Sequence, residues 1–398
     1  MRRTFLLEPN LRNFGGHPFE FSIALLDAAQ ALRINAILVC HQEANEEWLG
    51  CKRNIIRLIS AGSFENIDNR GETFCADLRR LRELVHLSHE DVVIVLTAHL
   101  NEIAGIRRFM SEATDHRPPR FFLVVHQLYP PEPDFKAASS EKRRGFWLKR
   151  LEGELAKLGK DVTLCSTPSR ALRSKLQSYF AGEVIEIPLP FPDASREHTF
   201  FARDERPDER EANAVFLGDG RFEKGLSILL DAVPLDIRGV AFTIQSSPLR
   251  GYSKRHAQKI RRLLALLAEE RRIALLGSNL SRDQFQAALL RADFVILPYH
   301  PLSYDARVSG ILVQSLLVGK PAIVSADTWL AEEVMKYDAG VKFAYFVRSH
   351  ERCVQALRDA VVQMVHNHSR YKAGAQRAAQ IYSKVHNATA FLDAVFRS

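Results

Sequence analysis

Residues 91–126 read DVVIVLTAHLNEIAGIRRFMSEATDHRPPRFFLVVH. Two runs in this stretch, VVIVL and FFLVV, are continuously apolar, which is typical of strands buried on both faces of a parallel sheet. A helical pattern lies between them, over 101–111. A strand, a helix and a second strand in this order form one βαβ unit, so the stretch predicts a doubly wound α/β fold.

The same alternation extends on both sides of that unit. Helical patterns lie near 19–32, 74–87, 101–111, 140–158 and 169–180. The predicted strands are Thr4–Leu7, Asn35–Cys40, Ile55–Ile59, Val92–Thr97, Phe121–His126, Val162–Cys165 and Val184–Ile187. Strands and helices of these lengths in regular alternation predict a parallel sheet covered by helices.

Residues 191–212, FPDASREHTFFARDERPDEREA, interrupt the alternation, because they are rich in proline and mixed charge and have little periodicity. A second alternation follows, with strands predicted at NAVFLG, VAFTIQ, IALLGS, DFVILP, PAIVSA and KFAYFV, and it ends in a long helical run over 351–396. We therefore expect two Rossmann-like doubly wound domains that face each other across a cleft. Their expected bounds are 1–190 for the N-terminal domain, 191–212 for the linker, 213–380 for the C-terminal domain and 381–398 for a C-terminal helix that returns to the N-terminal domain.

Composition and charge exclude several classes of protein. With 398 residues, 46% hydrophobic and 26% charged, the chain is an ordinary globular protein with room for two cores. The five cysteines form no CxxC pair, which argues against a zinc module and suits a reducing compartment. No signal peptide and no run of about 18 apolar residues is visible, so we expect a cytoplasmic protein. The net charge of +8 favours anionic partners without choosing among them.

The segment FLGDGRFEKG, 216–225, follows a predicted strand and opens a helical pattern. It lacks the third glycine of a dinucleotide fingerprint, and the next strand does not end in an acid, so a dehydrogenase is disfavoured. Arg221 and Lys224 lie three residues apart near the predicted helix start, where two cations and helix amides suit a diphosphate. Taken alone, the segment is better explained by a solvated basic turn than by a diphosphate site.

The segment YDARVSGILVQSLLVGKPAIVS, 304–325, follows another strand. Ser309 is in position to cap a helix, and Gly310 leaves the first helical amides uncrowded, so these amides can hold an anion. Gln314, one turn further on, can hydrogen-bond hydroxyl groups. Asp305 and Arg307 flank the segment. A capped core helix with a polar loop explains these residues equally well.

Two further candidates lie at predicted strand ends in the first half of the chain. His126 ends the strand FFLVVH, where an imidazole can act on a hydroxyl group or stabilise charge near neutral pH. Gly15 and Gly16 permit a tight turn after the first strand. Two basic stretches have ordinary interpretations. The stretch 141–158 is better explained by an amphipathic helix packed on the sheet than by a membrane contact. The stretch 250–267 is better explained by a solvated face than by a nucleic-acid contact.

Taken together, these segments resemble the retaining glycosyltransferases of the GT-B fold, especially family 4 and its glycosyltransferase group 1 domain. FLGDGRFEKG looks like the family's strand–GR–x–x–KG segment, and SGILVQSLLVGKPAIVS looks like its E-GFG-xxxx-E-A-xxxG-x-PV segment. LLGSNLSRDQFQAALLRADFVILPY looks like the strand, helix and strand between them. The match spans roughly residues 213–340. The first half matches only through its GG loop and the histidine at the strand end.

The resemblance implies roles for the residues that match. Arg221 and Lys224 would bind the nucleotide diphosphate, and Ser309, Gly310 and Ile311 would hold phosphate and donor sugar with helix amides. In this interpretation His126 lies near the attacking acceptor hydroxyl, and Gly16 belongs to the ligand site. No metal and no cofactor beyond the nucleotide sugar is implied, since cations and helix amides stabilise the leaving diphosphate.

The chain departs from the family pattern at both glutamates of the second segment. Gln314 stands where the family contacts ribose hydroxyls, and a glutamine can still bond them with less charge assistance. Ala306 stands at the first glutamate, with Asp305 adjacent as a replacement that requires the loop to shift by one residue.

The resemblance therefore predicts a cytoplasmic hexosyltransferase that is retaining and independent of metal, with a UDP- or GDP-sugar as donor and a glycan or lipid-linked acceptor. Polysaccharide assembly and a peripheral contact with the inner face of the membrane are expectations by family analogy. A nucleotide-sugar 2-epimerase shares the fold, but it needs a pair of carboxylates that the sequence does not offer. The third alternative is a non-catalytic binding relative, and the retained Arg221 and Lys224 argue against it.

Overall fold

The computed structural model describes residues 3–13, 16–45, 54–65, 69, 71–112, 117–128, 137–159, 161–192, 211–233, 239–246, 249–277 and 280–398. These residues divide into two compact units. The first unit comprises the described residues of Met1–Pro130, Ala137–Asp193 and His386–Ser398, and the second comprises those of Ala194–Val385. Residues 193–210, most of the expected linker, lie outside the described residues.

The first unit is built on a parallel sheet of seven strands. The strands are β1 (Arg3–Glu8), β2 (Asn35–His41), β3 (Ile55–Ile59), β4 (Val92–Val95), β5 (Arg120–Val125), β6 (Val162–Ser166) and β7 (Val184–Glu186), in the order β3-β2-β1-β4-β5-β6-β7. Its helices are α1 (His17–Ala31), α2 (Glu72–Val85), α3 (Leu100–Ser111), α4 (Ala137–Leu155) and α5 (Arg170–Tyr179). All four residues of β4 are buried, as its unbroken apolar run predicted.

The second unit repeats this plan with a parallel sheet of six strands. Its strands are β8 (Ala212–Phe216), β10 (Val240–Gln245), β12 (Ile273–Leu276), β13 (Phe294–Leu297), β14 (Ala322–Ser325) and β15 (Gly340–Phe343), in the order β12-β10-β8-β13-β14-β15. A small separate sheet pairs β9 (Gly220–Arg221) with β11 (Leu249–Arg250). The helices are α6 (Leu226–Ala232), α7 (Lys254–Leu267), α8 (Arg282–Arg291), α9 (Pro301–Tyr304), α10 (Gly310–Leu317), α11 (Trp329–Lys336), α12 (His350–His366) and α13 (His368–Val385).

The described chain ends in a helix that belongs to the first unit. This helix, α14 (Ala388–Arg397), starts at Asn387, whose side chain accepts a hydrogen bond from the Ala390 amide at 2.8 Å. Phe391, Leu392 and Val395 are buried in the core of that unit, where α14 packs against α1. The core also holds Leu25 of α1 and residues of β1, β2, β4 and β5.

The doubly wound α/β fold predicted from the sequence is confirmed, with local differences. The last strand was expected at KFAYFV but lies at Gly340–Phe343, and residues 344–347 are not in a strand. The expected single helical run over 351–396 is three helices, with breaks near Asn367 and Asn387. An asparagine lies at each break, since Asn367 is the C-cap residue of α12 and Asn387 is the N-cap residue of α14.

The strand order fixes where ligands are expected in each unit. In the second sheet, β8 lies between β10 and β13, and the chain runs outward from β8 to one edge before it returns to β13 on the other side. Parallel sheets of this kind bind ligands at the carboxyl ends of the strands, where this order reverses. We therefore expect a ligand site in the loops that follow β8 and β13.

Candidate anion-binding site

The loop after β8 approaches α10 closely at Gly218. This glycine has φ +104°, and a Cβ atom there would lie 2.6 Å from Lys224 Nζ and 2.8 Å from Ile311 Cδ1. A larger residue would have to displace the ends of both side chains, and it would also be strained at this positive φ. The Gly218 amide donates to Gln245 Oε1, at the end of β10, at 2.7 Å. The glycine thus lets Lys224 and the first turn of α10 meet at one point.

Arg221 and Lys224 lie before a helix, not at its start as the sequence predicted. Arg221 ends the short strand β9, and Lys224 ends a 3-10 turn formed by Phe222–Lys224. Gly225, with φ +72°, then precedes α6 as its N-cap residue. A Cβ atom on Gly225 would lie 2.0 Å from the Pro298 carbonyl oxygen. This close approach ties the loop after β8 to the end of β13.

Asp219 joins the two cations of the first segment. Its Oδ1 lies 2.9 Å from Lys224 Nζ and accepts a hydrogen bond from Arg221 Nε at 3.0 Å. The second oxygen, Oδ2, lies 2.8 Å from Arg221 Nε. About a quarter of the side-chain surface of Asp219 and of Arg221 is exposed, and Lys224 is buried. The carboxylate therefore lies in the position that an anionic ligand of these two cations would take.

A second carboxylate, Glu223, joins Arg221 to a cation from the loop after β13. Glu223 Oε1 accepts a hydrogen bond from Arg307 Nη1 at 2.8 Å and lies 3.3 Å from Arg221 Nη1. The main-chain oxygen of Glu223 accepts from the His300 amide at 2.8 Å. Glu223 is buried. Because it bonds to both loops, it fixes Arg307 beside the first segment.

Burial and the ion pairs with Asp219 shift the pKa values of this cluster in opposite directions. Burial alone would raise the pKa of the Asp219 carboxyl, but Lys224 and Arg221 hold it well below the ordinary value. Burial lowers the pKa of the Lys224 ammonium; Asp219 opposes that shift and Arg221 adds to it. Burial also acts to lower the pKa of Arg221, but Tyr304, Asp219 and Glu223 raise it above its usual range. The cluster holds three cations and two carboxylates in one partly buried region.

The start of α10 has the geometry that the sequence predicted. Ser309 is the N-cap residue, and its hydroxyl accepts a hydrogen bond from the Leu312 amide at 3.3 Å. Gly310 and Ile311 are buried and form the first turn, which contains no acidic residue. The first amides of a helix have no partner within the helix, so they are suited to an anion. Gln314, one turn on, is half-buried.

Asp305 and Ala306 have opposite environments. Asp305 is exposed, and its Oδ1 accepts a hydrogen bond from the amide of Ala306 at 2.8 Å. Ala306 is buried. The residue that aligns with the family's first glutamate therefore points to the interior and carries no polar atom in its side chain, while the neighbouring carboxylate engages the local backbone.

The two candidates from the first half of the chain lie in the first unit. His126 directly follows β5, and its Nε2 donates to the Leu96 carbonyl at 2.8 Å. Gly16 is exposed and precedes α1 with φ +80°. A Cβ atom on Gly16 would meet only Pro18 Cδ, at 3.8 Å. The neighbouring Gly15 lies outside the described residues.

Sequence reasoning missed Asp219 and Glu223. Their signal was present, since DGRFEK alternates acids with bases over six residues. The two bases alone predicted an anion site, and the two acids beside them change its charge. Two buried tyrosines were missed as well: the ring of Tyr304 lies 5.0 Å from Arg307 Cζ and packs on Tyr299 at 4.5 Å between centroids.

Solved structures match the chain over nearly its whole length. Sucrose-phosphate synthase from Thermosynechococcus elongatus matches with a TM-score of 0.69 at 14% identity, over 100% of this chain and 98% of that one. HepE from Anabaena, solved in complex with UDP and glucose, matches with a TM-score of 0.66 at 14% identity, over 100% and 99%. WaaG, a glycosyltransferase involved in lipopolysaccharide biosynthesis, matches with a TM-score of 0.62 at 14% identity, over 98% of each chain.

The chain has the GT-B glycosyltransferase fold. At this level of identity the likeness shows the GT-B fold alone. The sequence matches no family model and no curated protein. Within the described residues, no group of three or more metal-binding side chains lies together. None of the described helices combines the length and apolar character needed to cross a membrane.

Proposed function

We propose that the protein is a glycosyltransferase that transfers a sugar from a nucleotide-sugar donor to an acceptor hydroxyl. The observation that carries this proposal is the cluster of Arg221, Lys224 and Arg307 beside the first turn of α10, at the point where the strand order of the second sheet reverses. Guanidinium and ammonium groups together with free helix amides form a site for phosphate groups. HepE, which has the same fold, was solved with UDP and with UDP-glucose.

The chemistry follows from what the leaving group needs. When the bond between the sugar and the diphosphate breaks, negative charge develops on the diphosphate. Lys224, Arg221 and the amides of Gly310 and Ile311 would stabilise this charge, so the reaction would need no metal. Gln314, on the same helix, would bond the ribose hydroxyls. We propose a retaining outcome, in which the acceptor attacks from the face that the diphosphate leaves.

His126 has the acceptor role in this proposal. The hydrogen bond from its Nε2 to the Leu96 carbonyl holds the proton on that nitrogen and orients the ring. An imidazole held in this way can stabilise positive charge on the reacting sugar or bond an acceptor hydroxyl. Replacing His126 with Ala should then reduce transfer and leave the affinity for UDP unchanged.

Calorimetry with UDP, GDP, ADP and their sugars tests the donor site. One nucleotide should bind, and Lys224→Ala should weaken it roughly tenfold to a hundredfold, because a charge-assisted contact with phosphate is lost. Lys259→Ala is the matched control, since Lys259 also pairs with an aspartate, Asp231 at 3.5 Å, in the same unit. Transfer should persist in EDTA.

The outcomes separate the candidate functions. Binding without transfer or donor hydrolysis would favour a non-catalytic nucleotide-sugar-binding protein, for which the buried Ala306 and the exposed Asp305 are the specific observations. If no nucleotide binds at millimolar concentration, or if Lys224→Ala has no effect, the proposed donor site is wrong.

A further inference from the structure

The Asp219 carboxylate makes a compact set of contacts with the two cations of its own loop. One oxygen, Oδ1, is shared between Lys224 Nζ at 2.9 Å and Arg221 Nε at 3.0 Å, and Oδ2 lies 2.8 Å from Arg221 Nε. One oxygen shared by two cations, with a second oxygen on one of them, is also how a phosphate group would engage this pair.

Asp219 differs from Glu223 in what it joins. Glu223 connects the loop after β8 to Arg307 and, through its main chain, to His300, so it holds two distant segments together. The ion pairs of Asp219 reach only two and five residues along the chain. They bring no distant element closer. The main effect of Asp219 is therefore on the charge of the site, and its side chain is about a quarter exposed, so solvent and ligands can reach it.

We propose that Asp219 occupies the position of a phosphate group in the ligand-free protein and leaves Lys224 and Arg221 when a diphosphate binds. This inference rests on the proposed function, because the diphosphate is that of the nucleotide sugar. A monoanion offers the two cations no more charge than Asp219 does. A diphosphate brings at least two charges and several oxygens, so it competes better. Asp219 thus lowers the affinity of the pair for every anion, and a polyanion is the class of ligand that still binds well enough to displace it.

Every anion that binds Lys224 and Arg221 must first displace Asp219, so its binding free energy is reduced by the same amount. The reason is that the free protein only partly populates the state in which Asp219 has left the two cations. Asp219→Asn removes the charge and keeps the shape of the side chain. We expect this variant to bind inorganic pyrophosphate and UDP roughly tenfold more tightly than the wild type, which corresponds to about 1.4 kcal/mol. Titration calorimetry at fixed ionic strength measures both affinities.

Asp231→Asn is the control for removal of one negative charge from the same unit. Asp231 pairs with His350 at 2.7 Å and with Lys259 at 3.5 Å, neither of which belongs to the cluster, and its replacement should leave both affinities unchanged. Unchanged or weaker binding by Asp219→Asn overturns the proposal, since Asp219 would then only position the cations. An equal gain in Asp231→Asn also overturns it, because the effect would come from net charge alone.

A structure of the wild-type protein with UDP tests the same point without a variant. Asp219 Oδ1 should lie beyond hydrogen-bonding distance of Lys224 Nζ, with a phosphate oxygen in its place. If both ion pairs persist at about 3 Å with UDP bound, the displacement is wrong while the proposed function stands. If neither the wild type nor Asp219→Asn binds pyrophosphate or any nucleotide, both proposals fail together.

Discussion

Two glutamates are buried at the carboxyl edge of the first sheet. Glu8 ends β1, and its oxygens accept hydrogen bonds from the Asn10 amide at 2.9 Å and from Thr97 Oγ1 at 2.8 Å. Glu102, in the first turn of α3, accepts from the His99 amide at 2.8 Å. Burial raises the pKa of Glu8 to about 7 and the pKa of Glu102 to about 8. Between the unfolded pKa of 4.5 and these raised values, each group therefore holds a proton in the folded state that the unfolded chain has released.

The stability of the first unit should fall as the pH rises. Between the unfolded pKa of 4.5 and the folded pKa of about 8, Glu102 binds a proton in the native state only, so each pH unit costs up to about 1.4 kcal/mol in the free energy of unfolding. Glu102→Gln keeps an acceptor for the His99 amide and removes the titration. Urea denaturation from pH 5 to pH 9 should show a flatter profile for this variant, with an advantage over the wild type that grows up to about pH 8 and then levels off.

Glu83→Gln, on the exposed side of α2, is the control for this pH profile. It should follow the wild-type curve at every pH. If the Glu102→Gln and wild-type curves run parallel, then Glu102 is ionised in the native protein and the assigned effect of burial is wrong.

At the scale of elements, Gly225 allows the start of α6 to lie close to Pro298, the residue that follows β13. Its φ of +72° is in the left-handed region, and a Cβ atom would lie 2.0 Å from the Pro298 carbonyl oxygen. Gly239 has nearly the same φ, +75°, but a Cβ atom there would meet nothing within 4 Å. Alanine variants at these two positions therefore distinguish the cost of a left-handed backbone from the cost of the close contact with Pro298.

Gly225→Ala should destabilise the second unit by more than about 3 kcal/mol, whereas Gly239→Ala should cost about 1 kcal/mol, the strain of a left-handed alanine. Thermal unfolding of both variants measures the difference. Equal losses would mean that the loop after β8 can move away from Pro298, and that Lys224 is less firmly placed than the structure indicates.

The strands that sequence could locate are those with a strong pattern. β4 and β5 are buried along almost their whole length, and their unbroken apolar runs marked them. β9 and β11 are two residues long, too short for any period, so no pattern could predict them. The last strand was predicted too far along the chain because apolar residues continue past Phe343 into the loop. A continuous apolar run does not indicate where the strand within it ends.

The candidate site was also predictable only in part from the sequence. Chain order and the Ser309-Gly310 pair predicted a capped helix at the edge of the second sheet, and α10 starts there. The ion pairs of Asp219 and Glu223 depend on side-chain direction within a loop, and sequence spacing does not fix that direction. The meeting of Lys224 and Ile311 at Gly218 depends on two loops far apart in the chain, so it required the three-dimensional structure.

At the scale of the whole molecule, the C-terminal helix contributes to the unit that the start of the chain forms. The Ala388 amide donates to the Phe191 carbonyl at 3.0 Å, and the Leu189 amide donates to His386 Nδ1 at 3.2 Å. These contacts fix the returning segment beside the end of the first unit. The hydrophobic face of α14 then completes the core around α1.

Leu392→Ala should therefore destabilise the first unit. Leu392 is 1% exposed and lies in its core, so truncation to alanine should cost about 2 to 5 kcal/mol. Leu84→Ala is the matched control, since Leu84 belongs to the same unit and is 61% exposed. Hydrogen exchange should show faster opening of β1, β2 and β4 in the Leu392 variant, because those strands share the core with α14. Equal loss of protection in β8 and β13 would contradict this, since the two units would then unfold as one.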